Sequence, residues 1–131
     1  MCDYHVRIFL EDTDAGGIVY HAKYLHFLER ARSLYLESLG YDHFKMVKEN
    51  QGHFVVTDMR LRYKKPAFLG EEIIVKTKIE DVRHASILLT QSIWRNDICL
   101  FDAELTLAHV SSENLRVKAM PTALKQILLN A

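Results

Sequence analysis

The chain predicts an α+β domain in which one long amphipathic helix packs against a five-stranded antiparallel sheet. Three observations carry this expectation. Apolar side chains recur every three or four residues from about Ala22 to Leu39, the period of a helix with one buried face. Further segments alternate apolar and polar residues at the period of a half-buried strand. Most of these segments follow the helix with short turns between them, so a helix face too wide to leave in water has a sheet face to cover it.

Taken in order, Tyr4 to Leu10 is the first predicted strand, with Tyr4, Val6, Ile8 and Leu10 on one face. The helix follows, carrying Leu25, Leu28, Ala31, Leu34, Tyr35 and Leu39 on its apolar side, and Gly40 supplies a stop. Asp42 to Glu49 predicts a short second helix, ended by the turn-forming Asn50-Gln51-Gly52. Phe54 to Tyr63 reads as a strand, Met59, Leu61 and Tyr63 alternating against Asp58, Arg60 and Arg62. Pro66 and Leu69-Gly70 mark a connection. Glu72 to Val82 then turns Ile73, Val75, Thr77 and Ile79 inward. Ser86 to Arg95 and Ile98 to Val110 form a hairpin around Asn96-Asp97. Pro121 to Asn130 closes the chain as a short helix with Pro121 near its first turn.

Composition narrows the class. At 131 residues, 49% hydrophobic and 26% charged, the chain suits one core. No repeat or linker divides it, so residues 1–131 read as a single domain. Lys plus Arg and Asp plus Glu are both 17, which leaves no electrostatic case for nucleic acid. Cys2 and Cys99 form neither a CxxC nor a zinc spacing. No apolar run approaches the ~20 residues of a membrane span. The first residues, Met1-Cys2-Asp3-Tyr4-His5, lack the apolar run of a signal peptide, and a cytoplasmic location is expected.

Chemistry concentrates in Glu11-Asp12-Thr13-Asp14-Ala15-Gly16-Gly17-Ile18-Val19-Tyr20-His21. This acidic, glycine-containing loop leads into a helix N-terminus, where free N–H groups and the macrodipole favour negative charge. A carboxylate there stays ionised and a developing oxyanion finds donors. Asp and Gly before a helix also serve as ordinary turn and capping residues. A calcium loop starting at Asp12 fails downstream, where Lys23 stands at the twelfth position in place of a bidentate Glu. Neither phosphate-binding glycine pattern is present. His21 and His26 lie five apart, off the four-residue spacing of a helical zinc pair, and the other histidines are scattered, so no metal site is expected. Asp12 is read as a turn or hydrogen-bonding residue rather than as half of an acid–base dyad with Asp14.

The same run, continued through Tyr24-Leu25-x-Phe27-x-Glu29-Arg30-Ala31-Arg32, is similar to the signature of hotdog-fold acyl-CoA thioesterases. The resemblance is to the 4-hydroxybenzoyl-CoA thioesterase family, and most closely to the Tol–Pal-associated thioesterases of Gram-negative bacteria. It implies a sheet wrapped around the long helix and hydrolysis of acyl-CoA to a free carboxylic acid and CoA with no cofactor. It also implies a homodimer or homotetramer with active sites between subunits. Asp14 matches the family's catalytic aspartate, as nucleophile or general base. The His21 N–H matches the donor that polarises the thioester carbonyl, and Gly17 allows close backbone approach. The His21 side chain is a further candidate for orienting Asp14 or water. Glu29-Arg30-Ala31-Arg32 belongs to the signature and equally fits a polar helix face with local ion pairs.

CoA brings phosphates, which call for cations. Arg60, Arg62, Lys64, Lys65, Arg83 and His84 are the candidates, and the resemblance favours Lys64, Lys65 and Arg83; alternating charges on a half-exposed strand also face solvent as a rule. Acyl carrier protein is a further expected partner. A second function class, a non-catalytic module that binds acyl thioesters or acyl carrier protein in envelope or phospholipid synthesis, keeps the fold without turnover. The Asp14-Ala15-Gly16-Gly17-x-x-x-His21 constellation stands against it.

Overall fold

The computed structural model describes residues 2–131. Its elements are β1 (Cys2–Arg7), a 3₁₀ turn (Leu10–Asp12), α1 (Lys23–Ser38), α2 (His43–Lys48), β2 (His53–Tyr63), β3 (Glu72–Val82), β4 (Ser86–Arg95), β5 (Ile98–Val110) and α3 (Thr122–Leu129). The five strands form one sheet in the order β1-β3-β4-β5-β2, every pairing antiparallel. β3, β4 and β5 run as a meander at the centre. β1 and β2, separated in sequence by the helices, take the two edges.

Helix α1 lies on the inner face because its buried residues form a single stripe. Tyr24, Phe27, Leu28, Ala31, Arg32, Tyr35 and Leu36 are buried, at alternating spacings of three and one that hold one side of a helix. Its N-terminal half packs with Ile8, Val19, Ile73, Val75, Ile93, Phe101, Ala103 and Leu105. Leu36 at its other end joins a second cluster with Tyr41, Phe54, Ile87, Leu89 and Leu107, closed by Leu124 and Leu128 of α3. The helix ends as expected: Gly40, at φ 102, lets the Tyr41 N–H reach back to the Leu36 carbonyl, a glycine-terminated cap. Asp42 caps α2 by accepting the Lys45 N–H at 3.1 Å.

Two expectations are corrected. β1 ends at Arg7 rather than Leu10, because the Ile8 N–H and carbonyl bond to Glu71 and Gly70, after which the chain turns into the 3₁₀ segment. Leu10 therefore stands 74% exposed. Leu34 is 47% exposed, since the buried stripe runs through Ala31 and Tyr35 and leaves it on the flank.

Leu28 has no exposed surface and sits where α1 meets the sheet. Leu28→Ala is expected to destabilise the fold by about 2–5 kcal/mol through lost burial and a residual cavity. Urea denaturation measures it, and a loss near zero would contradict this packing.

Candidate active site

The loop after the 3₁₀ turn is a stitched hairpin tip. Thr13 and Val19 form an isolated antiparallel bridge, as do Ile18 and Phe68. The Asp14 N–H donates to the Ile18 carbonyl at 2.9 Å, and the Gly17 N–H donates to the Asp14 carbonyl at 3.2 Å. Gly17 has φ 81, a conformation that costs any residue with a Cβ. Its carbonyl accepts the Leu69 N–H at 3.2 Å, while the Val19 N–H reaches the Ala67 carbonyl at 2.9 Å. The tip is thus fixed against the segment between β2 and β3.

Asp12 holds this tip to what lies on either side. Its carboxylate, buried with the residue 5% exposed, accepts the Phe9 N–H at 2.9 Å through Oδ2 and pairs with Lys23 Nζ at 3.3 Å through Oδ1. Its carbonyl accepts the Tyr20 N–H at 2.9 Å. One residue ties the preceding turn, the loop and the first residue of α1 together, a structural duty that fits the expectation for it.

Asp14 is different. Its side chain is exposed; Oδ1 accepts the Gly16 N–H at 2.8 Å, and Oδ2 has no hydrogen-bond partner among the described residues. One bond aims the carboxylate and one oxygen stays available. Asp14 shares a cavity of about 460 Å³ with Ile18, Val19, His21, Tyr24, Tyr63, Lys64, Lys65 and Pro66, a size suited to a small-molecule ligand.

His21 stands two residues before α1, whose N-terminus carries no side-chain cap and no acid in its first turn. The N–H groups of His21 and Ala22 donate to no acceptor among the described residues, while Lys23 N–H turns back to the Tyr20 carbonyl. The His21 peptide is held from the other side, since Tyr63 Oη donates to its carbonyl at 2.6 Å. Tyr63 in turn packs edge-on to Tyr24 and Phe101 at centroid distances of 5.5 and 4.9 Å, and Tyr24 stacks on Phe101 at 5.2 Å. Tyr24 Oη accepts the Ala67 N–H at 3.1 Å. Burial pushes the Tyr24 phenol above its ordinary pKa, keeping this floor neutral. The arrangement offers an anionic oxygen, an open pair of N–H donors and an aromatic floor, the parts needed to attack and polarise a carbonyl.

Cations divide into two groups. Lys64 and Lys65 both reach the cavity, their N–H groups sharing the Leu100 carbonyl at 2.9 and 3.0 Å. Lys64 pairs with Asp102 at 2.8 Å, and that hydrogen bond, then Cys99 nearby, pushes its pKa up. The Lys65 ammonium has no partner among the described residues. Arg83 and His84 occupy the β3–β4 turn, with Arg83 bonded to Asp81 at 3.0 Å. An eleven-residue β3 separates that turn from the Asp14 end of the sheet by roughly 35 Å, so one chain does not bring all four together. Arg60 lies on β2 outside the cavity, and Arg62 lines a separate depression with Lys76 and Asp102. Tyr63 and Tyr24 line the cavity without being among the site candidates the sequence offers. Tyr63 directly precedes Lys64-Lys65, which was the available signal, but its register opposite Phe101 was not legible.

Residues 9–128 match the family profile of the thioesterase-like superfamily. The chain is 40% identical over 120 residues to the acyl-CoA thioesterase YbgC of Haemophilus influenzae, covering 92% of this chain and 88% of that one. It is 36% identical over 122 residues to the acyl-CoA thioester hydrolase YbgC of Escherichia coli, covering 91% and 89%. A solved structure of a probable thioesterase from Bartonella henselae superposes with a TM-score of 0.86 at 30% identity, over 92% of this chain and 98% of the other.

If Asp12 serves the scaffold, Asp12→Ala strands the part-buried Phe9 N–H and should cost about 1–3 kcal/mol. Thermal unfolding reads this, and an unchanged midpoint would contradict the tie.

Proposed function

This chain belongs to the thioesterase-like superfamily, and on that premise we propose that it hydrolyses acyl-CoA thioesters to free carboxylic acids and CoA at the Asp14 cavity. The observation that carries the reading is the Asp14 carboxylate with one free oxygen, in the same cavity as His21, whose N–H is open at the start of α1. A thiol like that of cysteine ionises near pH 8.5, so CoA leaves as a thiolate with little acid assistance. The enzyme then needs only an attacking group and a place for the carbonyl oxygen.

Asp14 supplies the attack in one of two ways. As nucleophile, its carboxylate oxygen bonds to the thioester carbon, the C–S bond breaks to release the thiolate, and water cleaves the resulting anhydride. As general base, it takes a proton from water that attacks the same carbon directly. In both, the negative oxygen of the tetrahedral intermediate is met by the His21 N–H, with the Ala22 N–H beside it. Gly17 contributes by shape, because its own N–H is engaged by the Asp14 carbonyl. The His21 imidazole, exposed beside Tyr20, is available to orient water.

Lys64 and Lys65 are the diphosphate ligands in this reading, being the cations within the cavity. Arg83 and His84 join them only if a second copy contributes its β3–β4 turn. A homodimer or homotetramer with sites between subunits is therefore part of the proposal, and both sheet edges, β1 and β2, are open to pairing. Acyl carrier protein is a second carrier under the same chemistry, and a cytoplasmic setting with a link to the Tol–Pal envelope system completes the reading. No helix among the described residues is long and apolar enough to cross a membrane.

Release of CoA from short, long and aromatic acyl-CoAs tests the proposal. Asp14→Asn, folded by circular dichroism, should lower kcat by about 10²-fold or more; unchanged turnover would overturn the mechanism and favour an acyl-thioester-binding module. Replacing Lys64 and Lys65 together by Ala should raise KM severalfold and leave kcat nearly unaltered. An unchanged KM would remove both lysines from the CoA site.

A further inference from the structure

A second group of polar side chains lies outside the Asp14 cavity. Arg32, on α1, is 9% exposed. Its guanidinium has five N–H donors, yet among the described residues its one hydrogen bond is from Nη1 to Gln91 Oε1 at 3.3 Å. Gln91 is fixed in this orientation, because its amide nitrogen donates to the Leu28 carbonyl and the Thr77 hydroxyl, each at 2.9 Å, and its neutral oxygen offers Arg32 no countercharge. Among the described residues no carboxylate pairs with Arg32. Burial draws its pKa down, but a guanidinium stays charged. A largely buried cation with no bonded counter-ion is costly, and among the described residues the one acid acting on it, Glu29 a turn earlier on α1, does so through its charge without forming an ion pair.

Arg32 borders a cavity of about 290 Å³ with Glu29, Ser33, His43, Val55 and Val56 among its walls. Glu29, Arg32 and Ser33 share one face of α1, three and four residues apart. Glu29 is exposed and makes no ion pair among the described residues, although its charge acts at a distance on both Arg32 and His43. The opposite wall is β2, which pairs with β5 on one side only and leaves its other edge open. A chain docking along that edge would cover the cavity. A two-fold axis places each copy's surplus acid beside the other's surplus cation, so a single contact geometry satisfies both sites at once.

We propose that the cavity at Arg32 is a carboxylate-binding site completed by a second copy of this chain, which presents its Glu29. The inference rests on the oligomeric part of the proposed function and is independent of the catalytic part. It makes the ion pair reciprocal, with Glu29 of each copy meeting Arg32 of the other, and it accounts for a helix that carries an unpaired acid and an unpaired base one turn apart.

Fluorescence-detected sedimentation from nanomolar to micromolar concentration tests it. Glu29→Gln alters an exposed residue and should fold, and its dimer Kd is expected to rise tenfold or more. Mixing the Glu29→Gln and Arg32→Gln chains should give heterodimer in excess of the statistical half, because the mixed pair restores one complete contact and removes both members of the other. A monomeric wild type, an unchanged Kd for Glu29→Gln, or statistical mixing would each overturn the proposal. Should Arg32→Gln fail to fold, the Kd of Glu29→Gln decides alone. Wild-type CoA release, assayed in parallel, separates the two readings: turnover with statistical mixing rejects only this site, and heterodimer preference without turnover rejects only the catalysis.

Discussion

The buried carboxylate of Asp12 is the constraint on which the rest of the site depends. Three segments meet at it: the 3₁₀ turn through the Phe9 N–H, the loop through Tyr20, and the start of α1 through Lys23. A loop of this composition would otherwise sample many conformations, because glycines lower the cost of left-handed backbone without selecting one. With Asp12 fixed, the hairpin tip has one place to go. Asp14, two residues on, then arrives beside a helix start with no side-chain cap. The two neighbouring aspartates divide the work, one buried and holding the backbone, the other exposed with a free oxygen.

A second anchoring comes from the sheet. Tyr63 at the end of β2 reaches across to the His21 carbonyl, and Tyr24, which lines the cavity, stacks on Phe101. The helix start is consequently positioned by β2 and β5 as well as by its own loop. The same strand end carries Lys64 and Lys65 to the rim. Sheet pairing, the aromatic floor and cation placement thus follow from one register, Tyr63 opposite Phe101. A slip of one residue would turn Tyr63 away from His21 and scatter the site.

Much of this was legible in the sequence because it is local. The helix with its glycine stop, the strand alternation, the Asn96-Asp97 hairpin and the terminal helix all follow from spacings within a few residues. The departures are those that depend on distant partners. Leu10 looked like the next inward residue of β1 until Gly70 and Glu71 ended the strand's alignment. Leu34 fitted the helical period but fell on the flank of the stripe. Arg32 read as part of a polar helix face and is instead buried over Gln91, its partner 59 residues away. Arg83 and His84 shared a charge argument with Lys64 and Lys65, yet they lie at the opposite end of β3, and only strand direction reveals that. Sequence spacing grouped the candidate residues by chemistry; topology separated them by place.

In the proposed reaction the thioester carbonyl is held between the Asp14 carboxylate and the His21 N–H. A structure of the protein bound to an unreactive CoA thioether carrying the acyl carbonyl one carbon from sulfur is the decisive measurement. The carbonyl oxygen is expected within hydrogen-bond distance of the His21 N–H, the carbonyl carbon facing the free Asp14 oxygen, and the diphosphate toward Lys64 and Lys65. A ligand bound with its carbonyl away from Asp14, or in a different cavity, would contradict it.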